Sequence, residues 1–139
     1  WNQALWAGLK HRLNLAYTYG QDLVRNEALP EIAALDLEYR LMGTYFNGRL
    51  KPYLSFRQVW TQSRISLEYG ETETPAFSLF HLGVSIRILR SLGFSIGINN
   101  LLDAEYYEHL NRSVRGAEPA RPIYAPGRSF YLSFNLDLR

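Results

Sequence analysis

The sequence predicts an all-β chain: antiparallel, up-and-down strands, about seven in number, with no convincing helix. Three observations predict it. Apolar and polar residues alternate with a period of two through most of the 139 residues. The apolar faces run nearly unbroken over five positions in several strands while the opposite faces are polar and often small. The connections between runs are alternately short and long, the wiring of a meander with tight turns at one end and large loops at the other.

The elements follow in order. Residues 1–7 read as the tail of an earlier strand, and Gly8–His11 as a short turn. In residues 11–20, Leu13, Leu15, Tyr17 and Tyr19 oppose Arg12, Asn14, Ala16 and Thr18. After a longer connection over Gln21–Ile32, Leu35, Leu37, Tyr39 and Leu41 alternate with Asp36, Glu38 and Arg40. Asn47-Gly48 is a hairpin signal of the I′ type, since both residues accept positive φ. Beyond it, Leu50, Pro52, Leu54, Phe56 and Trp60 oppose Lys51, Tyr53, Ser55 and Arg57. A long connection, Thr61–Ala76, leads to Phe80, Leu82, Val84, Ile86 and Ile88 against His81, Gly83, Ser85 and Arg87. A short one, Leu89–Leu92, leads to Phe94, Ile96 and Ile98 against Ser95, Gly97 and Asn99. The longest, Leu101–Gly127, precedes Phe130, Leu132, Phe134, Leu136 and Leu138 against Tyr131, Ser133, Asn135, Asp137 and Arg139.

Composition narrows the class. Hydrophobic residues make up 47% of the chain and aromatics 14%, with ten Tyr, seven Phe and three Trp. No apolar run is long enough for a membrane-spanning helix. No signal peptide is visible at residues 1–10, and the start reads as mid-protein sequence with any targeting signal upstream. A net charge of +2 with both signs interspersed forms no basic stripe, so a nucleic-acid partner is not expected. The absence of cysteine excludes disulfides, thiolate metal sites and thiol catalysis.

No helix is available to cover the apolar face. A lipocalin-like barrel would turn that face inward, and a β-sandwich would use shorter strands and Greek-key connections. A transmembrane barrel turns it to lipid, and runs of about 9–12 residues suit the roughly 9–11 needed to cross a tilted span. The membrane barrel fits best.

The stretches LGFSIGINNLLDAEYYEHLNR, residues 92–112, and APGRSFYLSFNLDLR, residues 125–139, carry a resemblance. Asn100, Leu101, Leu102 and Asp103 end a penultimate strand. Tyr106 and Tyr107 follow, then a long loop, then a Pro126-Gly127-Arg128 turn into the last strand. This pattern resembles the C-terminal end of TonB-dependent outer-membrane receptors, and the run Glu108-His109-Leu110-Asn111 resembles those for metal chelates. The chain ends Asp137-Leu138-Arg139, where such barrels commonly end on an aromatic residue. The resemblance implies that residues 1–139 are the C-terminal segment of a barrel of roughly 22 strands, with the plug domain and energy-coupling box outside this chain. It further implies the bacterial outer membrane, lipid around the wall, TonB and the rest of the receptor as partners, and no resident cofactor. The cargo would be a siderophore, haem, cobalamin or other metal chelate. A passive porin or adhesive barrel, and a soluble lipocalin-like binder, are the alternatives.

Candidate ligand contacts are Tyr106, Tyr107 and His109 at the start of the longest loop, His81 on a polar strand face, and Arg112 and Arg115 in the loop. Imidazole and phenolate bind metals, and guanidinium pairs with anions. An interfacial belt of Tyr, a solvated wall and a solvated loop are the plainer readings. Arg121 and Arg128 add to the loop charge, but Glu71 and Glu73 in the other long loop oppose a simple cationic funnel. Asn100, Leu101, Leu102, Asp103, Pro126, Gly127 and Arg128 are expected to act structurally. Asp36, Glu38, Arg40, Lys51 and Arg57 suit cross-strand ion pairs in a wet lumen better than a catalytic carboxylate pair. The chain is therefore not expected to be an enzyme.

Overall fold

The structure, a computed structural model, describes residues 1–111 and 122–137. Among them the elements are β1 (Asn2–Ala4), β2 (Leu9–Ala16), β3 (Gln21–Asp22), β4 (Glu27–Ala28), β5 (Asp36–Gly43), β6 (Leu50–Val59), β7 (Phe77–Arg87), β8 (Leu92–Asn99) and β9 (Ser129–Leu136). Seven of them build one antiparallel sheet in the order β1-β2-β5-β6-β7-β8-β9, and β3 and β4 form a separate small hairpin. Every neighbour in the large sheet is its partner's next strand along the chain, apart from that inserted hairpin.

The register sorts the two faces. Leu41 stands opposite Leu54, Leu54 opposite Leu82, Leu82 opposite Ile98 and Ile98 opposite Phe130. Three residues along, Lys51 stands opposite Ser85, Ser85 opposite Ser95 and Ser95 opposite Ser133. A slip of one residue in any strand would exchange these rows, so the alternation itself pins the register. The apolar face has no covering layer among the described residues. Phe130 and Phe134 remain 73% and 71% exposed, and Leu54, Leu82, Ile96 and Leu132 are also open.

The buried core lies on the other face. Val59, Phe77 and Leu79, at the long-loop end of the polar face, are buried together, with Ala34, Ala104 and Tyr106 packed against them. At this end, described residues of the three long connections are hydrogen-bonded to one another.

Strand ends differ from the sequence expectation in four places. The first turn comes earlier: the Leu9 amide donates to the Trp6 carbonyl at 3.0 Å, with Ala7 and Gly8 at positive φ, so β2 begins at Leu9. β2 also stops early, at Ala16, where its pairing with Asp36 ends. Tyr17 and Tyr19 therefore lie beyond the sheet, and Tyr19 is held in the loop layer under the Arg64 guanidinium, 3.7 Å from its ring centroid. The connection over residues 21–32 contains the β3–β4 hairpin, turned by Asp22, whose Oδ1 accepts from the Val24 and Arg25 amides at 2.8 and 3.2 Å. Those two amides hold the Asp22 carboxyl below its ordinary range. Finally, the turn at Asn47-Gly48 is wider than a two-residue loop. Gly48 N–H reaches the Tyr45 carbonyl and Arg49 N–H the Phe46 carbonyl, with Phe46, Asn47 and Gly48 all at positive φ between the bridged Tyr45 and Leu50.

One row of the polar face explains two glycines. Tyr53, Gly83, Gly97 and Tyr131 stand side by side on β6, β7, β8 and β9. The tyrosines lie over the glycines, and their hydroxyls meet at 3.0 Å. A Cβ on Gly97 would sit 2.5 Å from a Tyr131 ring carbon, and one on Gly83 would sit 2.6 Å from the Tyr131 hydroxyl. Gly97→Ala is expected to destabilise the folded, detergent-solubilised protein by about 1–3 kcal/mol, by forcing the ring aside. Urea unfolding midpoints check this, and adding Tyr131→Ala is expected to recover part of the loss.

Candidate functional site

The polar face at the long-loop end is the candidate site, and ion pairs build its wall. Arg57 of β6 stands opposite Glu38 of β5 and reaches diagonally to Asp36. Its Nε and Nη2 donate to Asp36 Oδ2 at 3.0 and 2.7 Å, while its Nη1 donates to Glu108 Oε1 at 2.5 Å. One guanidinium thus ties two strands to the longest loop, and its half-buried setting over the Phe77 ring strengthens the pairing. Below it, Glu38 accepts from Arg40 at 3.1 Å and from Asn14 at 3.2 Å. The Arg57–Asp36 pair crosses between strands, whereas Glu38 and Arg40 are two positions apart on β5.

The start of the long loop is anchored by Asn100. Its side chain is buried, its Oδ1 accepts from the Ala104 amide at 2.9 Å, and its Nδ2 donates to the Ala104 carbonyl at 2.8 Å. Its φ of +50° suits asparagine, one of the few non-glycine residues at ease there. Leu101 N–H donates to the Phe80 carbonyl, and Leu102 is exposed. Asp103 Oδ1 accepts from the Arg128 amide at 2.7 Å, with the Arg128 guanidinium 3.9 Å from its other oxygen. A Cβ on Gly127 would stand 2.8 Å from that Asp103 oxygen, so the residue between Pro126 and Arg128 has to be small. The segments leaving β8 and entering β9 are therefore clasped to each other.

The aromatic and histidine candidates fall into different settings. Tyr106 packs on the Val59, Phe77 and Leu79 cluster, its ring 4.6 Å from that of Phe77. Burial and then the Glu108 carboxylate push its phenol up, against a smaller opposing pull from Arg57, so it is a neutral donor at physiological pH. Tyr107 stands edge-on to Tyr124 at 5.4 Å. His109 is 5% exposed at its side chain, with Nδ1 2.8 Å from Thr74 Oγ1 and Nε2 3.8 Å from Glu71. His81 lies half-buried on the polar wall, where its Nδ1 accepts from the Asn100 amide at 3.4 Å. Arg112, Arg115 and Arg121 lie outside the described residues.

Two groups that the sequence offered only as part of a motif run and as loop charge organise this end. Glu108 is the third member of the Arg57 cluster. Glu71 is a hub: its Oε1 accepts from the Glu31 amide at 2.6 Å and its Oε2 from the Ser66 amide at 2.7 Å, with His109 beside it. It thereby joins all three long connections. No sequence spacing marks either residue, because their partners lie 51 and 40 positions away. Among the described residues there is no group of three or more His, Asp or Glu that could hold a metal ion. The arrangement is a polar, ion-paired wall under a folded loop layer, suited to contacting a polar solute without covalent chemistry.

No family model matches the chain, and no curated protein matches it in sequence. Solved structures do match. The copper transporter OprC superposes with a TM-score of 0.87 at 26% identity, over 99% of this chain and 22% of its own. Two crystal structures of mutants of PfeA, the ferric enterobactin receptor of Pseudomonas aeruginosa, superpose with a TM-score of 0.73. Their identity is 18% over 97% of this chain and 21% of theirs, a likeness of fold alone. The chain is similar to the barrel strands of TonB-dependent receptors. It spans about a fifth of the length of these proteins. Like the barrel strands it resembles, the sheet is all-β, antiparallel and up-and-down. The matched proteins are described as a transporter and a receptor.

Asn100→Ala would leave the Ala104 amide and carbonyl unpaired and force alanine to a positive φ. It is expected to lower stability by about 2–4 kcal/mol, read from urea midpoints in detergent, with Asn100→Gly recovering the φ component alone. Glu71→Ala is expected to speed hydrogen exchange at the Glu31 and Ser66 amides by roughly 10–100-fold, with strand amides unchanged.

Proposed function

We propose that residues 1–139 form the C-terminal part of the barrel of a TonB-dependent receptor in a bacterial outer membrane. In this reading the whole protein imports a scarce, bulky nutrient, a metal chelate or haem, using energy delivered through TonB to a plug domain carried elsewhere in the protein. The observation that carries the reading is the two-faced sheet. Among the described residues, an apolar face without a covering layer backs a polar face on which Ala34, Ala104 and Tyr106 pack at the loop end, and the chain superposes on a copper transporter over nearly its whole length. Copper, by that likeness, and ferric siderophore, by the likeness to PfeA, are the first cargoes to test.

Ligand contacts in this reading come from His81 on the wall, Tyr107 at the mouth, and Arg112 and Arg115 in the loop between them and β9. Tyr106 and His109 act instead through the loop layer that their side chains hold together. Asn100, Leu101, Leu102, Asp103, Pro126, Gly127 and Arg128 set where the long loop leaves and rejoins the wall.

The test is uptake in cells lacking the intact receptor, supplied in turn with copper, ferric siderophores, haem and cobalamin. Loss of one of these, restored by the wild-type gene only when TonB is present, is the expected result. Unchanged uptake of all four sinks the chelate reading. Restoration without TonB indicates a passive pore instead.

A further inference from the structure

At the loop end a cavity of about 190 Å³ lies on the apolar side of the sheet, away from the polar wall. Tyr17 and Leu35 line it, and both continue the apolar-face parity of β2 and β5 past the last Ala16–Asp36 pairing. Ala34, next to Leu35, turns the other way and packs on the Val59 cluster. The lining residues Tyr17, Thr61 and Ser63 are exposed, so the cavity is open, while Ile32, Leu35 and Arg64 are half-buried in it. Its height is set by where the apolar face ends. Gln58 occupies that face two positions past Phe56, opposite Leu37 and Ser78, and its Oε1 accepts from the Ser78 hydroxyl at 2.5 Å. In the membrane reading, this hydrogen-bonded amide and hydroxyl mark the outer limit of hydrocarbon. Leu35 lies two residues beyond Leu37, about 7 Å along a strand. A headgroup layer is roughly 5–8 Å deep on each side of the core, so the cavity sits at headgroup depth. Trp60, whose amide donates to the Leu35 carbonyl at 3.0 Å, is exposed beside it, where interfacial aromatics belong.

Among the described residues, Arg64 is the one charged side chain lining this cavity. Its guanidinium stacks on Tyr19, and its Nη2 donates to the Gly20 carbonyl at 3.4 Å, which leaves most of its N–H groups free. No described carboxylate comes within ion-pair distance of it. The acidic groups of the same connection are engaged elsewhere: Glu68 pairs with Arg25, and both oxygens of Glu71 accept backbone amides. The charge of Arg64 is therefore uncompensated. A stacked guanidinium keeps its plane and its fork, which matches two oxygens of a phosphate. Apolar side chains in the same cavity suit an anion that carries hydrocarbon.

We propose that Arg64 seats the phosphate of an outer-leaflet lipid in this cavity, with Tyr17, Ile32 and Leu35 against the carbons next to it. This rests on the membrane reading above. A receptor that stays soluble and monomeric without detergent sinks that reading; a membrane-inserted receptor that shows no preference for a phosphorylated lipid sinks this site alone.

The experiment uses the full-length receptor in a non-ionic detergent, incubated with lipid A bearing its phosphates or with the dephosphorylated lipid, and native mass spectrometry reads what is retained. The wild type is expected to favour the phosphorylated lipid by about tenfold, and Arg64→Gln to abolish that preference with its melting temperature unchanged. Equal retention of the two lipids by the wild type overturns the site, and so does a preference that survives Arg64→Gln. Displacement of the lipid by inorganic phosphate at equal concentration overturns the lipid assignment, because the hydrocarbon contacts then add nothing. If Arg64→Gln also melts lower through its lost contact with Tyr19, Ser63→Phe decides, since it fills the cavity and leaves Arg64 in place. Loss of the preference in that variant is the expected result, and its persistence overturns the site.

Discussion

A sheet that presents one face to hydrocarbon has to satisfy its backbone sideways. No water reaches the peptide groups on that side, so each N–H and C=O depends on the strand next to it. In the proposed membrane setting, the rest of this structure depends on that requirement. It allows irregular backbone only where the strands end, and it makes pairing between sequence neighbours the cheapest solution, since each ladder then closes a short loop. The unbroken order of seven strands, interrupted only by a small outlying hairpin, follows from it.

With the apolar face given to the surroundings, packing moves to the other side. The few well-buried apolar side chains, Val59, Phe77 and Leu79, lie beneath loops, not between layers of secondary structure. The polar face is therefore graded along its length. At the loop end its charges are joined in ion pairs; at the turn end Arg49, Lys51, Arg87 and Arg90 surround one cavity with Asp137. A polar solute moving along this wall would meet two different electrostatic environments a strand's length apart.

Much of the architecture was legible from alternation alone. Leu54, Leu82 and Ile98 share a face because a strand's side chains repeat every two residues, and the same rule placed Arg57 and Asp36 on one face of neighbouring strands. Strand ends were less legible, because they are decided by where pairing stops. Tyr17 and Tyr19 continue the alternation of β2, yet the ladder ends at Ala16 and the tyrosines go with the loops. Val59 and Leu79 break the polar pattern of their face, and only the loops above them explain why. The loop layer was the least legible part. Glu71 and Glu108 act through partners distant in sequence, brought near by the fold, and no local pattern marks such a residue. The Asn100–Asp103 and Pro126–Arg128 segments stood out as motifs, but the hydrogen bonds from Asp103 to the Arg128 amide and from Asn100 to Ala104 became visible only in three dimensions.

The Tyr53–Tyr131 contact has a consequence for how register is enforced. Hydrophobic alternation penalises a slip of one residue and is blind to a slip of two, which returns every side chain to its own face. Tyr53 and Tyr131 are 78 residues apart in the chain and three ladders apart in the sheet. Their hydroxyls meet only if the β6–β7, β7–β8 and β8–β9 pairings are all correct together. A two-residue error in any one of them carries a ring away from its glycine and onto a side chain. The pair thus works as a parity-independent check, detecting the class of misalignment that greasy and polar stripes let through.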